Sequence, residues 1–324
     1  MTDPRTHVEP STANGKPPGT TSWDGSVTKL GTEMRSYYGR PILKEPVWKP
    51  EIPSYLFTGG LAGGSSLLHG YARVLRQKRL ANTALYVGAV ADVVSPLLLI
   101  SDLGRPERFL NMFRVFKVTS PMNVGSWLLM ASGGASSTAA VLELLGILKP
   151  VKWTAELVSF VLGAPLATYT GTLLADTAIP VWHEARHELP FLFGASASAS
   201  AGAAAALLLP PEEAGPARRL AIAGTAAELA TMEAMQHRLG FVGEVYKQGA
   251  AGRLARISKL CAAAGAGLLA WKGKRSRAAA VGGSALVLAG EVALRWSVFK
   301  AGFQSARDPR YTVIPQRERL DARK

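Results

Sequence analysis

Among the ionisable side chains inside stretches that are otherwise apolar, ten are candidates for chemistry: His69, Asp92, Glu143, Glu156, Asp176, Glu228, Glu233, His237, Glu291 and Arg295. Carboxyl and imidazole groups can hold or pass a proton. Keeping one out of water costs a few kcal/mol on membrane-insertion scales, so each requires a partner, a wet cavity or a task. Glu143, Glu156, Asp176 and Arg295 fall close enough to a predicted segment end for a long side chain to reach headgroups or water. Glu291 with Arg295, and Glu233 with His237, have the i,i+4 spacing of partners on one helix face. Asp92 and Glu228 are left: each lies near the middle of its segment with no opposite charge three or four residues away. A proton relay fits both, and so does a hydrogen-bonded carboxyl that burial keeps neutral. They are the first two candidate catalytic carboxyls.

The third is Asp102, in "DLGRPERFLNMF". Gly104 and Pro106 stop the preceding apolar helix, and the proline disfavours helical geometry at Arg105. Phe109, Met112, Phe113 and Phe116 then recur at roughly helical spacing, as an amphipathic helix lying in the membrane interface would place them. A fixed Asp102–Arg105 pair beside that stripe suits the mouth of a site for a ligand with a polar head and a greasy tail. A capped helix end with solvated charges is the alternative. Another pattern, "HEARH" at His183–His187, fits the H-E-x-x-H zinc-protease signature. It lies in a link between Pro180 and Pro190, too short for the membrane helix such a site needs. No metal-ligand set is therefore assigned.

The elements that must position these groups follow from composition. Of 324 residues, 48% are hydrophobic and only 19% charged, and the charge is concentrated toward the two ends. A bilayer core takes about 20 residues of helix. Eight segments qualify, at 53–75, 81–101, 123–148, 153–178, 189–209, 217–238, 254–271 and 278–300, separated by Pro, Gly or basic links. The fold expected is an all-α integral membrane bundle of about eight transmembrane helices over 53–300, with a polar tail at 1–52 and a basic tail at 301–324. Runs such as "GGLAGGSS" and "SGGASS" let helix backbones approach closely in lipid.

The formal net charge of +14 arises from short clusters between apolar runs, such as "RVLRQKR" and "WKGKRSR". That placement marks membrane topology and lipid headgroup contact, and argues against nucleic acid. The links after segments 1, 3, 5 and 7 are short and densely basic, so they are expected in the cytoplasm and both termini outside. The single cysteine, Cys261, excludes a disulfide framework or a cysteine-ligated cluster within the chain. The first 50 residues show neither an apolar signal core nor a twin arginine.

Four motifs carry a family resemblance: "YLFTGGLAGGSSLL", "SDLGRPERFLNMF", "SPMNVGSWLL" and "APLATYTGTLL". In this order they resemble the NrfD-type membrane subunits of polysulfide reductase and related respiratory complexes, over about residues 50–210. The resemblance implies a quinone-binding anchor in the prokaryotic cytoplasmic membrane, taking menaquinone or ubiquinone and binding no redox metal. It implies a docked ferredoxin-like iron–sulfur subunit that serves a molybdopterin catalytic subunit. By the same resemblance, Tyr55 and Tyr169 are placed at the quinone carbonyls, and Asp102 and Arg105 match the "DLGRP" pattern. His69 lies deeper in the first segment, where Gly60, Gly63 and Gly64 permit close approach of a helix or ligand. A proton-coupled transporter, working without partner chains, is the rival reading.

Overall fold

The computed structural model describes residues 41–322. Its described residues are helical throughout, with no strand. Eight helices have 20 or more residues: α1 (Glu51–Val74), α2 (Lys78–Asp102), α3 (Pro121–Leu145), α4 (Lys149–Ala175), α6 (Leu189–Leu208), α7 (Gly215–Leu239), α8 (Gly249–Trp271) and α9 (Arg277–Arg307). A short α5 (Pro180–Glu184) precedes α6, and α10 (Arg310–Asp321) follows α9. Six of the long helices, all but α1 and α7, are long and apolar enough to cross a membrane on their own composition. Gly and Ser lower the hydropathy of α1, and Arg and Glu that of α7.

Local chemistry sets several boundaries. Ser120 caps α3 by accepting the Asn123 N–H, Pro121 occupies the first turn, and Gly146 closes the helix at φ 68°. Ser276 caps α9 in the same way. α9 then runs to Arg307, seven residues past the predicted end, so Arg295 is three turns inside the helix and cannot reach headgroups.

The interior is joined by small residues. α1 runs through the centre, touching α2, α4, α6 and α9. A Cβ on Gly63 would lie 2.5 Å from the Ala167 nitrogen, and one on Gly64 would lie 2.4 Å from the Ala197 carbonyl oxygen. Both glycines therefore set backbone-to-backbone contact with α4 and α6, where packing drives association in lipid. Outward-facing aliphatic side chains such as Val90, Leu97, Leu157 and Val161 are exposed, as a lipid-facing surface requires.

At the end where α1 begins, Trp182 of α5 is fully buried. It stacks on Trp48 at 5.6 Å and donates from Nε1 to the Val298 carbonyl at 2.8 Å. Gly302 makes room for it, since a Cβ there would lie 2.0 Å from the indole. Gly302→Ala is expected to cost about 1–3 kcal/mol through overpacking. The check is a lower thermal midpoint in detergent, with Trp182→Phe in the same background recovering part of the loss.

Candidate functional site

Between the end of α2 and the start of α3 lies a cavity of about 540 Å³, in the size range of small-molecule sites. Its walls are mostly apolar, from Val93, Leu97, Leu129 and Met130 among others, and its polar groups are few: Tyr55, Asp92, Asp102, Ser126, Ser137 and Tyr169. Four sequence-predicted residues, on three different helices, thus share one space. Leu97, Leu110, Met122 and Met130 on the rim are themselves exposed, so the cavity opens sideways toward lipid.

Each polar group is held by local structure. Asp92 is 1% exposed, with Oδ2 accepting from Ser136 at 2.6 Å and from Ser132 at 3.3 Å. Its Oδ1 is buried with no hydrogen-bond partner among the described residues. Pro96, one turn on, has no N–H to give the Asp92 carbonyl, so α2 loses a rung beside the carboxyl. Asp102 accepts the Lys49 backbone N–H at 3.0 Å, which ties the strand of chain before α1 to the mouth. Tyr55 is buried at 2%, and its hydroxyl has no hydrogen-bond partner among the described residues. Tyr169 differs: its hydroxyl donates to the Pro121 carbonyl at 2.7 Å.

Two residues that sequence reasoning missed build this geometry. A Cβ on Gly125 would lie 1.8 Å from the Tyr169 ring, so only glycine lets Tyr169 cross to α3. Asn123 donates from Nδ2 to the Met112 carbonyl at 2.8 Å and accepts the Lys117 N–H at 2.7 Å, which staples the loop preceding α3 to that helix. Both stand in "SPMNVGSWLL", but their roles depend on neighbours outside that motif.

The aromatic stripe is shaped differently from the expectation. Pro106–Phe113 forms an eight-residue 3-10 helix, not an amphipathic α-helix continuing through Phe116. Phe109, Met112 and Phe113 face the cavity, while Phe116 is exposed and meets the Trp127 edge at 6.1 Å.

The other proposed site residues lie elsewhere. Arg105 is exposed, outside the cavity lining, and makes no ion pair with Asp102. Gly63 and Gly64 are packing contacts, and Gly60 lies against Arg295, whose Nη2 would be 2.9 Å from a Cβ there. His69 is buried two turns of helix beyond them. Its Nδ1 bonds the Ala81 carbonyl at 2.8 Å, and its Nε2 faces Glu156 at 3.6 Å.

Glu228 joins a separate centre. It faces Glu291 and Arg295 of α9, all three being no more than 1% exposed. Ser196 donates to Glu291 at 2.5 Å, and the Arg295 guanidinium lies 3.7 Å from the Phe193 ring centre. Glu291 and Arg295, spaced i,i+4 on α9, do not form the direct ion pair expected from that spacing; they share a buried cluster with Glu228 of α7. Glu233 pairs with Lys259 at 3.2 Å, not with His237. Glu156 and Glu143 are likewise engaged inside the protein, through Arg73 and Lys152. α5 ends at Glu184, so "HEARH" straddles a turn, and the Glu184 carboxylate is taken by Arg319 at 2.6 Å.

The family described as "Polysulphide reductase, NrfD" matches residues 42–236, which include α1 to α4 and every cavity residue named above. The chain belongs to the NrfD family. Among the relatives of this NrfD chain is the protein named "Protein NrfD homolog" from Haemophilus influenzae (strain ATCC 51907 / DSM 11121 / KW20 / Rd), 27% identical over 191 residues. The match covers 50% of this chain and 59% of that relative, so the chain spans well under two thirds of the relative's length. Together the family and the apolar helices make this a multi-pass membrane protein.

Proposed function

We propose that this NrfD-family chain is the quinone-binding membrane subunit of a multi-subunit respiratory oxidoreductase. The observation that carries the reading is the lipid-facing cavity with two tyrosines and two aspartates set in an apolar wall. An isoprenoid carrier has a matching form, a polar ring on a greasy tail. The residues fit such a group: the Tyr55 hydroxyl and Asp92 Oδ1 are polar atoms at the cavity with no hydrogen-bond partner among the described residues.

A bound menaquinone or ubiquinone would supply a two-electron, two-proton couple. Tyr55 is the free phenol and can donate to a carbonyl oxygen as negative charge develops there. Asp92 can take or return a proton through Oδ1 while Ser132 and Ser136 hold Oδ2. Tyr169 already directs its O–H at the Pro121 carbonyl, so it offers an acceptor lone pair and orients the wall. Asp102, held by Lys49, guards the mouth. Electrons are exchanged with a docked ferredoxin-like iron–sulfur subunit serving a molybdopterin subunit, as the family relationship suggests.

Orientation follows the charge. The links after α1, α3, α6 and α8 lie at one end with Arg73, Arg76, Lys78, Arg79, Lys272, Lys274, Arg275 and Arg277. The positive-inside tendency puts that end in the cytoplasm and the cavity at the outer side of a prokaryotic cytoplasmic membrane.

The test is quenching of Trp48 fluorescence by a soluble quinone analogue in the purified complex. Tyr55→Phe removes one hydrogen bond of about 0.5–1.5 kcal/mol, so affinity should fall roughly three- to tenfold. Unchanged affinity in both Tyr55→Phe and Asp92→Asn would count against the site. Isolation of the chain as a working permease, without an iron–sulfur protein, would favour a proton-coupled transporter.

A further inference from the structure

Three links at the basic end, far from the cavity, are tied together from within. Arg79 of α2 pairs with Glu213 in the α6–α7 link at 2.8 Å. Arg277 of α9 donates from Nη1 to the Leu209 carbonyl and from Nη2 to the Leu207 carbonyl, the latter at 2.6 Å. Arg218 of α7 donates to the Pro211 carbonyl at 3.3 Å, and its stem lies against the α8–α9 link, where a Cβ on Gly273 would meet Arg218 Cδ at 3.1 Å. Those contacts use three cations to hold the end of the bundle. Four more stand beside them: Arg219 next to Arg218 on α7, and Lys272, Lys274 and Arg275 in the α8–α9 link. All four are exposed, and none is in an ion pair among the described residues.

Membrane topology requires cations at this end, but not gathered on one side of it. The α3–α4 link at the same end exposes Ile147 and Leu148 instead. Nor do the helices neutralise the cluster. The first turns of α7 and α9 contain no acidic residue, although a helix N-terminus favours negative charge. Cations and helix ends here have the same sign, and an external anion relieves both. What lies below the cluster is apolar. Trp271, the last residue of α8, is 75% exposed, and Lys272 Nζ lies 4.2 Å from the ring centre. A tryptophan so placed marks the headgroup level of a bilayer. From it, Gly267, Ala264, Leu260 and Ile257 follow at alternating steps of four and three residues, all exposed on one outward face of α8. The two small residues leave a shallow track directly below the indole, since a Cβ on Gly267 would meet nothing within 4 Å.

We infer that the basic ends of α7 and α8 form a binding site for an anionic phospholipid with two phosphates, of the diphosphatidylglycerol class. The phosphates lie between Arg219 and the Lys272–Arg275 link, and the acyl chains run along the outward track of α8. Charge complementarity sets the class: four unpaired cations match two phosphates, whereas a lipid with one phosphate leaves most of that charge unanswered. A zwitterionic headgroup brings its own cation and is disfavoured. Once bound, the lipid joins the start of α7 to the α8–α9 link from outside, as Arg218 and Arg277 do from inside. The site is independent of the quinone reading, because it shares no residue with the cavity.

The test uses the purified complex in a nonionic detergent, titrated with diphosphatidylglycerol whose acyl chains are brominated and so quench a tryptophan they touch. Phosphatidylglycerol and phosphatidylcholine with the same chains are titrated in parallel. Diphosphatidylglycerol should quench at about tenfold lower concentration than phosphatidylcholine, and Trp271→Phe should abolish that difference. Lys272→Gln combined with Lys274→Gln and Arg275→Gln changes only exposed side chains and should raise the concentration needed by about tenfold or more. Arg76→Gln with Lys78→Gln, on the α1–α2 link, should leave it unchanged. Equal quenching by phosphatidylcholine, or no loss in the triple variant, overturns the site. Phosphatidylglycerol acting as well at equal phosphate overturns the two-phosphate assignment. Displacement of the lipid by millimolar inorganic phosphate identifies a free-phosphate site and overturns the lipid one.

Discussion

Arg295→Met should destabilise the protein by about 3–5 kcal/mol, the scale for removing one partner of a buried ionic cluster. Arg295 is 1% exposed, and its Nη2 donates to the Phe193 carbonyl at 3.1 Å. It is the cation that faces both Glu228 and Glu291. Without it, two carboxyls with buried, unpartnered oxygens remain in the middle of the membrane. They must then both be protonated or draw in water, and either course loosens the packing of α6, α7 and α9. Methionine retains much of the side-chain length, so the loss reports charge more than volume. The measurement is denaturation of the detergent-solubilised protein. Glu228→Gln with Glu291→Gln, added to Arg295→Met, removes the stranded carboxyls and should recover much of the stability. An R295M protein as stable as wild type would show that the three groups do not act as one electrostatic unit.

Gly125→Ala is expected to have the largest effect on the cavity from the smallest change in mass. The added methyl would lie 1.8 Å from Cζ and 1.9 Å from the hydroxyl of Tyr169, a separation that no atoms share without movement. Tyr169 is 9% exposed and pinned at its tip by the Pro121 carbonyl, so it cannot yield by a small rotation. Either the ring leaves the wall or α3 shifts away from α4. Both outcomes alter the space between Tyr55, Asp92 and Tyr169. Overpacking of this kind costs about 1–3 kcal/mol. If that cost falls on binding, quinone-analogue affinity measured by Trp48 quenching should drop roughly five- to a hundredfold. Gly125→Ala with Tyr169→Ala should restore packing without restoring affinity. Gly267→Ala on α8, where a Cβ would meet nothing within 4 Å, is the control and should leave both binding and stability unchanged. Wild-type affinity in Gly125→Ala would remove Tyr169 from the site.

The sequence by itself determined that lipid surrounds the chain, how many long helices it forms and nearly where each begins. Those properties follow from local composition: long apolar runs, prolines and glycines between them, and serine caps act within a few residues of where they stand. The motifs also sufficed to bring Tyr55, Asp102 and Tyr169 to one region, and the mid-segment charge to single out Asp92. Side-chain partners across helices were not determined in this way. Glu228 has no counter-charge three or four residues away in its own helix, and Arg295, 67 residues on, comes near it only when α7 and α9 pack together. Arg105 matched a motif yet points into solvent, and Gly125 gained its meaning from a tyrosine on another helix. In lipid the helices are fixed one by one by burial of their own backbone, while their mutual rotation depends on close packing of small residues. That rotation decides which polar atoms share a cavity, and only the tertiary structure contains it.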